Sequence, residues 1–136
     1  MPQEVVVAGA PLTTRVAQWL EAELKEEFSR RGEGPSEGLR RVIEEWWVHK
    51  HLPAIEWREG VTGSRPAIRG GPEIWEVVMV AREGGGGLEP PAGHFDWVSR
   101  EELRQALAFY RLFPGDIDRH LQENERIERQ LREEGA

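Results

Sequence analysis

The chain has no cysteine at all, which excludes disulfides and thiolate metal sites and fits a reducing, cytoplasmic setting. It also lacks any apolar run approaching the roughly 18 residues of a membrane span. No basic segment precedes an apolar one at the N-terminus, so no secretion signal is expected. Histidine is sparse: His49 and His51 stand two apart, the wrong spacing for one helical face, and only His94 and His120 remain. No metal is expected, and His49-Lys50-His51 reads as the basic end of a helix. No nucleophile-plus-base motif or phosphate loop is present either. The glycine run Gly84–Gly87 follows a helical segment instead of opening one, and leads to Leu88-Glu89-Pro90-Pro91 without Lys-Ser/Thr. It reads as a connector, and the chain is expected to be no enzyme and to need no cofactor.

Positive charge is the last scarcity. The net charge is −7, and a nucleic-acid binder of this balance must concentrate its basic groups locally or assemble them in an oligomer. An acidic chain suits a basic protein partner. What is abundant is apolar and aromatic material: 38% hydrophobic residues with six tryptophans, enough to bury a core in 136 residues.

In chain order, Val5-Val6-Val7-Ala8 is a short strand candidate. Leu12-Thr13-Thr14-Arg15-Val16 alternates, with Leu12, Thr14 and Val16 on one side and Thr13 and Arg15 on the other. From Val16 the apolar spacing lengthens to four through Leu20, Leu24 and Phe28, predicting a helix that ends at Arg30-Arg31-Gly32. Gly34-Pro35-Ser36-Glu37 opens a second helix, whose Leu39, Val42, Ile43, Trp46 and Trp47 share one apolar face. This strand, helix, turn and helix over residues 11–48 resembles the ribbon-helix-helix pattern, which exists only as an intertwined dimer. The resemblance implies Thr13 and Arg15 as base readers, Ser36 as a phosphate anchor at a helix start, and the Leu39–Trp47 face as the dimer interface. A helical hairpin that dimerises without touching DNA is the other reading. Pro11 at the ribbon's start and the missing basic strand depart from the pattern, so the two readings stand level.

Further on, Ile55-Glu56-Trp57-Arg58 and Ala67-Ile68-Arg69 predict a small β-hairpin across Gly60–Ser64. Pro66 holds Arg65 to Ile68 extended, Gly70-Gly71 makes a turn, and Pro72 is expected at the first position of a helix to Arg82. Arg65 and Arg69 are expected to brace the hairpin against Glu73 or Glu76. Gly93 weakens any helix over Leu88–Trp97, with Phe95 and Trp97 as candidate core plugs. Val98-Ser99-Arg100-Glu101-Glu102 carries a capping box. It opens a helix expected to bury Leu103, Ala106, Leu107 and Tyr110, with Phe109 and Phe113 on its flank. Arg100, Arg104, Gln105 and Arg111 form its exposed side. Pro114-Gly115-Asp116 breaks the run, and Asp116 is expected to cap a last helix through about Glu133 with a thin seam of Ile117, Leu121, Ile127 and Leu131.

The order RPAIRGGPEIWEVV, then WVSREELRQALAFY, then PGDIDRHLQENE resembles the DUF 433 family, over Leu52 to about Glu125. Those are small bacterial proteins with a helix-turn-helix-like core, many resembling antitoxins of the VapB type. The chain departs from them where a compact second helix usually stands. The resemblance implies a mainly α fold. Residues 1–50 would be a dimerising, DNA-binding-like module and 51–113 a helical domain with a β-hairpin, leaving 114–136 as a partner-docking tail. It implies an antitoxin-like, DNA-binding autoregulator that neutralises a PIN-like ribonuclease toxin. The helix carrying Arg100 and Arg104 would be a DNA-reading candidate, and Ile117, Leu121, Arg126, Ile127 and Leu131 would dock on the toxin, with help from Arg119 and Arg129. The alternative is an oligomerisation or protein-interaction module without a DNA role. A homodimer or larger homo-oligomer is expected under both.

Overall fold

The computed structural model describes residues 9–60 and 63–135, so the Val5–Ala8 strand candidate lies outside the described residues. Six helices and one two-stranded sheet follow in order: α1 (Gln18–Arg31), α2 (Pro35–His51), β1 (Ile55–Gly60), β2 (Gly63–Ile68), α3 (Ile74–Glu83), α4 (Glu89–His94), α5 (Arg100–Leu112) and α6 (Pro114–Gly135). The fold is mainly helical with one small antiparallel hairpin. Packing divides it into two units, Met1–Trp46 and Trp47–Ala136.

The first unit is a helical hairpin. Residues 9–17 carry no strand, although Leu12 to Val16 alternate. A single strand has no neighbour to receive its backbone donors and acceptors, so alternation alone does not make one here. α1 stops at Gly32, whose φ of 69° is the left-handed geometry that a glycine enters without strain, and whose N–H reaches Ser29 O at 3.1 Å. Gly34 accepts the first bond of α2 from Gly38 N–H, so Pro35 takes the first helical position and Ser36 lies inside the first turn instead of capping it. Where the two helices cross, a Cβ on Gly38 would stand 2.3 Å from the Phe28 ring; only glycine lets the ring lie against the α2 backbone. Arg41 closes the hairpin with Nε on Glu33 at 2.8 Å and Nη1 on Glu45 at 3.1 Å. The Glu33 bond first, then Glu45, holds its charge more firmly than an isolated arginine's.

The second unit wraps helices around the hairpin. β1 and β2 pair antiparallel in the register Ile55↔Ile68, Trp57↔Pro66 and Arg58↔Arg65. Arg69 falls beyond the strand, so it shares no strand face with Arg65. Pro72 does not open α3 as expected. Its carbonyl accepts from Ile68 N–H at 2.9 Å, and Glu73 caps instead, in a box whose return bond runs from Glu73 N–H to the Glu76 carboxylate at 2.8 Å. α4 is one short helix of six residues started by Pro90 and Pro91. Of its candidate plugs Phe95 is buried, whereas Trp97 stays 66% exposed.

Ser99 caps α5 in the expected box with Glu102. Phe109, placed on the flank by the sequence, is buried with Leu103 and Ala106, while Leu107 and Tyr110 are half-buried. α6 begins at Pro114, so Asp116 sits in its first turn and caps nothing. The core gathers Val48, Ile55, Ile68, Ile74, Val77 and Leu103, sealed by Ile117 and Leu121.

Candidate functional site

Thr13 and Arg15 are exposed in the strandless segment before α1, and Ser36 is exposed on the first turn of α2. Arg100 and Arg104 are exposed near the start of α5, but neither offers an unopposed charge. Arg100 donates through Nη2 to Glu89 at 2.5 Å, a bond that holds the Glu89 carboxyl below its usual range. Arg104 donates to Glu101 at 2.5 Å. Gln105, expected on the exposed side, turns inward: its Oε1 accepts the Ala54 N–H at 2.9 Å. The N-terminal half of α5 is therefore a charge-balanced surface joined to the hairpin.

The arginines around the turn are structural. Arg65 pairs with Glu73 at 3.3 Å, as the sequence suggested, and Arg69 lies 3.8 Å from Glu56. The main brace is Arg58, which the sequence reading passed over. One guanidinium nitrogen, Nη2, donates to Ile68 O and Gly71 O, both at 3.0 Å, tying β1 to the Gly70-Gly71 turn.

The apolar candidates separate more sharply. On α2, Leu39, Val42, Ile43 and Trp46 are 47%, 37%, 50% and 58% exposed, all on one face. Trp47 is not part of that face's surface. It packs against the second unit's core, its ring 4.5 Å from His51 and edge-on to Phe113 at 6.2 Å. The next residue, Val48, is wholly buried. Between α1 and α2 runs a mostly apolar groove of about 850 Å³, lined by Leu12, Val16, Leu24, Phe28, Leu39 and Ile43 with Thr13, Arg15 and Lys25 beside them.

The chain matches no protein-family model, no curated protein and no solved structure. Its surfaces are thus read from their own chemistry.

On α6 the expected seam divides in two. Ile117 and Leu121, assigned to docking by the sequence, are buried in the unit's own core. Three contacts hold that half down. Tyr110 Oη donates to Asp118 at 2.5 Å, Arg82 pairs with Asp118 at 3.3 Å, and the His120 ring lies tilted against Trp75 with centroids 4.6 Å apart. Burial first, then the bond to Asp118, pushes the Tyr110 hydroxyl above its ordinary pKa. Past Asn124 nothing in α6 is covered: Ile127 is 42% and Leu131 63% exposed. Arg126 pairs with Glu123 at 2.5 Å and Arg132 with Glu128 at 3.5 Å, while Arg119 pairs with Asp116. Helical geometry sets Glu123 and Glu134 along one edge of the Ile127–Leu131 strip and turns Arg126, Arg129 and Arg132 away from it.

Among the described residues no three His, Cys, Asp or Glu side chains converge as a metal site would require, and no helix is long and apolar enough to cross a membrane.

Proposed function

We propose that the chain is an antitoxin-like regulator. Its last helix docks on a ribonuclease of PIN-like fold, and its N-terminal unit contacts the operator of its own gene. The observation that carries the reading is the free end of α6. Residues 125–135 continue as a helix with two apolar side chains, Ile127 and Leu131, presented to solvent and edged by carboxylates. An isolated helix of that length is marginal in water, so it gains most of its order from what it lies against. A partner that suits it has an apolar groove with basic edges, as a nucleic-acid-cleaving enzyme does around its substrate path. Ordered motif resemblance to the DUF 433 family supports the same assignment.

Docking is confined to the outer half of α6, because Ile117 and Leu121 are occupied within the core. The decisive experiment is capture of a purified PIN-like ribonuclease from the same genome, using the whole chain and a version ending after Glu125. Capture by the whole chain and loss on truncation is expected; equal capture by both overturns the docking role. For DNA, a gel shift on the upstream sequence is expected to weaken in Arg15→Ala, and an unchanged shift removes Arg15 from the contact.

A second reading is favoured by one specific observation. Arg100 and Arg104 are each neutralised by a carboxylate within 2.5 Å, which speaks for a protein-interaction module with no DNA role. It predicts capture of the partner with no gel shift at all.

A further inference from the structure

Among its described residues, the first unit buries a single large apolar side chain, Phe28, while Leu39, Val42, Ile43 and Trp46 stand exposed on α2. A two-helix hairpin of this size has no core of its own to support such a face. Beside it, Leu12 and Val16 are 87% and 44% exposed along the same groove. Together these six side chains present on the order of 600 Å² of apolar surface per copy. Two copies would then cover roughly 1,200 Å², the lower bound for a stable protein interface.

A second copy brings the same apolar stripe in equal area, and a two-fold pairing covers both stripes at once. Opposed helix dipoles favour an antiparallel crossing of the two α2 helices. With the two-fold axis between Val42 and Ile43, Leu39 of each copy comes opposite Trp46 of the other.

We infer that a second copy of this chain covers the Leu39–Trp46 face, its α2 crossing antiparallel with Leu39 of each copy opposite Trp46 of the other. The pairing goes beyond the toxin reading and fails separately from it: a monomer that still captures the ribonuclease overturns the pairing alone.

Sedimentation equilibrium of the full chain tests it. The wild type is expected to be dimeric at micromolar concentration, and Ile43→Glu monomeric with its second unit still folded. That unit is expected to keep its fold because Ile43 lies outside it and is half exposed in the single chain. Because the chain has no cysteine, direction is read by crosslinking. Leu39→Cys and Trp46→Cys are expected to form a disulfide when the two variants are mixed, and neither to do so alone. A wild-type monomer, a dimer indifferent to Ile43→Glu, or a disulfide formed by Leu39→Cys with itself would each overturn the inference.

Discussion

Gln105 illustrates how a side chain's task depends on what lies across from it. On the helix wheel it belongs with the exposed arginines of α5, yet it accepts the Ala54 N–H, from a residue fifty-one positions earlier. Gln105→Leu leaves that N–H half-buried without a partner and is expected to cost about 1–3 kcal/mol in denaturant unfolding. Arg58 is similar. Its two bonds to carbonyls of the turn depend on the register Arg58↔Arg65, which no local pattern reveals. By contrast the Ser99–Glu102 box and the Gly32 stop were legible, because each is written in residues three or four apart. Tyr110 gives a pH prediction at this scale. Its folded pKa is raised, so the folded protein keeps the proton longer than the unfolded chain does. The stabilisation is complete below the ordinary phenol pKa of about 10 and is lost as the pH climbs beyond it. Tyr110→Phe is expected to lower stability by about 1 kcal/mol at neutral pH, through the lost bond to Asp118, and to lack that share of the alkaline decline. Thermal melts of both proteins across the alkaline range check this, and the single tyrosine makes its ionisation readable by absorbance.

At the scale of the element, α6 is one helix with two occupations. Leu121 is 6% exposed and Leu131 63%. Leu121→Ala removes buried contacts and is expected to cost about 2–5 kcal/mol, whereas Leu131→Ala is expected to stay within about 0.5 kcal/mol. Urea titration of the two variants compares them directly. For the same reason a chain cut after Pro114 is expected to lose the second unit's fold, while one cut after Glu125 keeps it. Spacing alone predicts a continuous seam from Ile117 to Leu131 and cannot divide it, since the division is made by tertiary contact: α3 and α5 cover only the first half of α6. The helices themselves were largely readable: α1, α2, α5 and α6 fall within a residue or two of expectation. α3 starts later because Pro72 is engaged by the hairpin through its carbonyl, a tertiary bond that overrides the usual place of proline in a first turn. The strand at residues 12–16 was expected from alternation, but a strand is completed by its neighbour, and the described residues provide none for it.

For the whole molecule, the two units differ in what holds each together. The second closes its own core, with Ile68, Ile74, Val77 and Leu103 fully buried. The first has its apolar stripe on the outside, so the dimer inferred above would tie its stability to assembly and hence to concentration, and leave the second's independent of it. Any interaction that binds the folded first unit and not its unfolded form shifts the balance by mass action, and a second copy of the chain does this most strongly when the chain is abundant. Amide hydrogen exchange followed by mass spectrometry separates the units within one sample. Protection over residues 18–46 is expected to rise as total concentration is raised from below to above the dimer's dissociation constant. Protection over residues 55–121 is expected to stay level. In Ile43→Glu the first of these rises should vanish, leaving α1 and α2 exchanging quickly at every concentration while the second unit is unchanged. Equal protection of both units in dilute solution would mean that the α1–α2 hairpin is stable alone. The exposed α2 face would then have to be explained by something other than the need for a core.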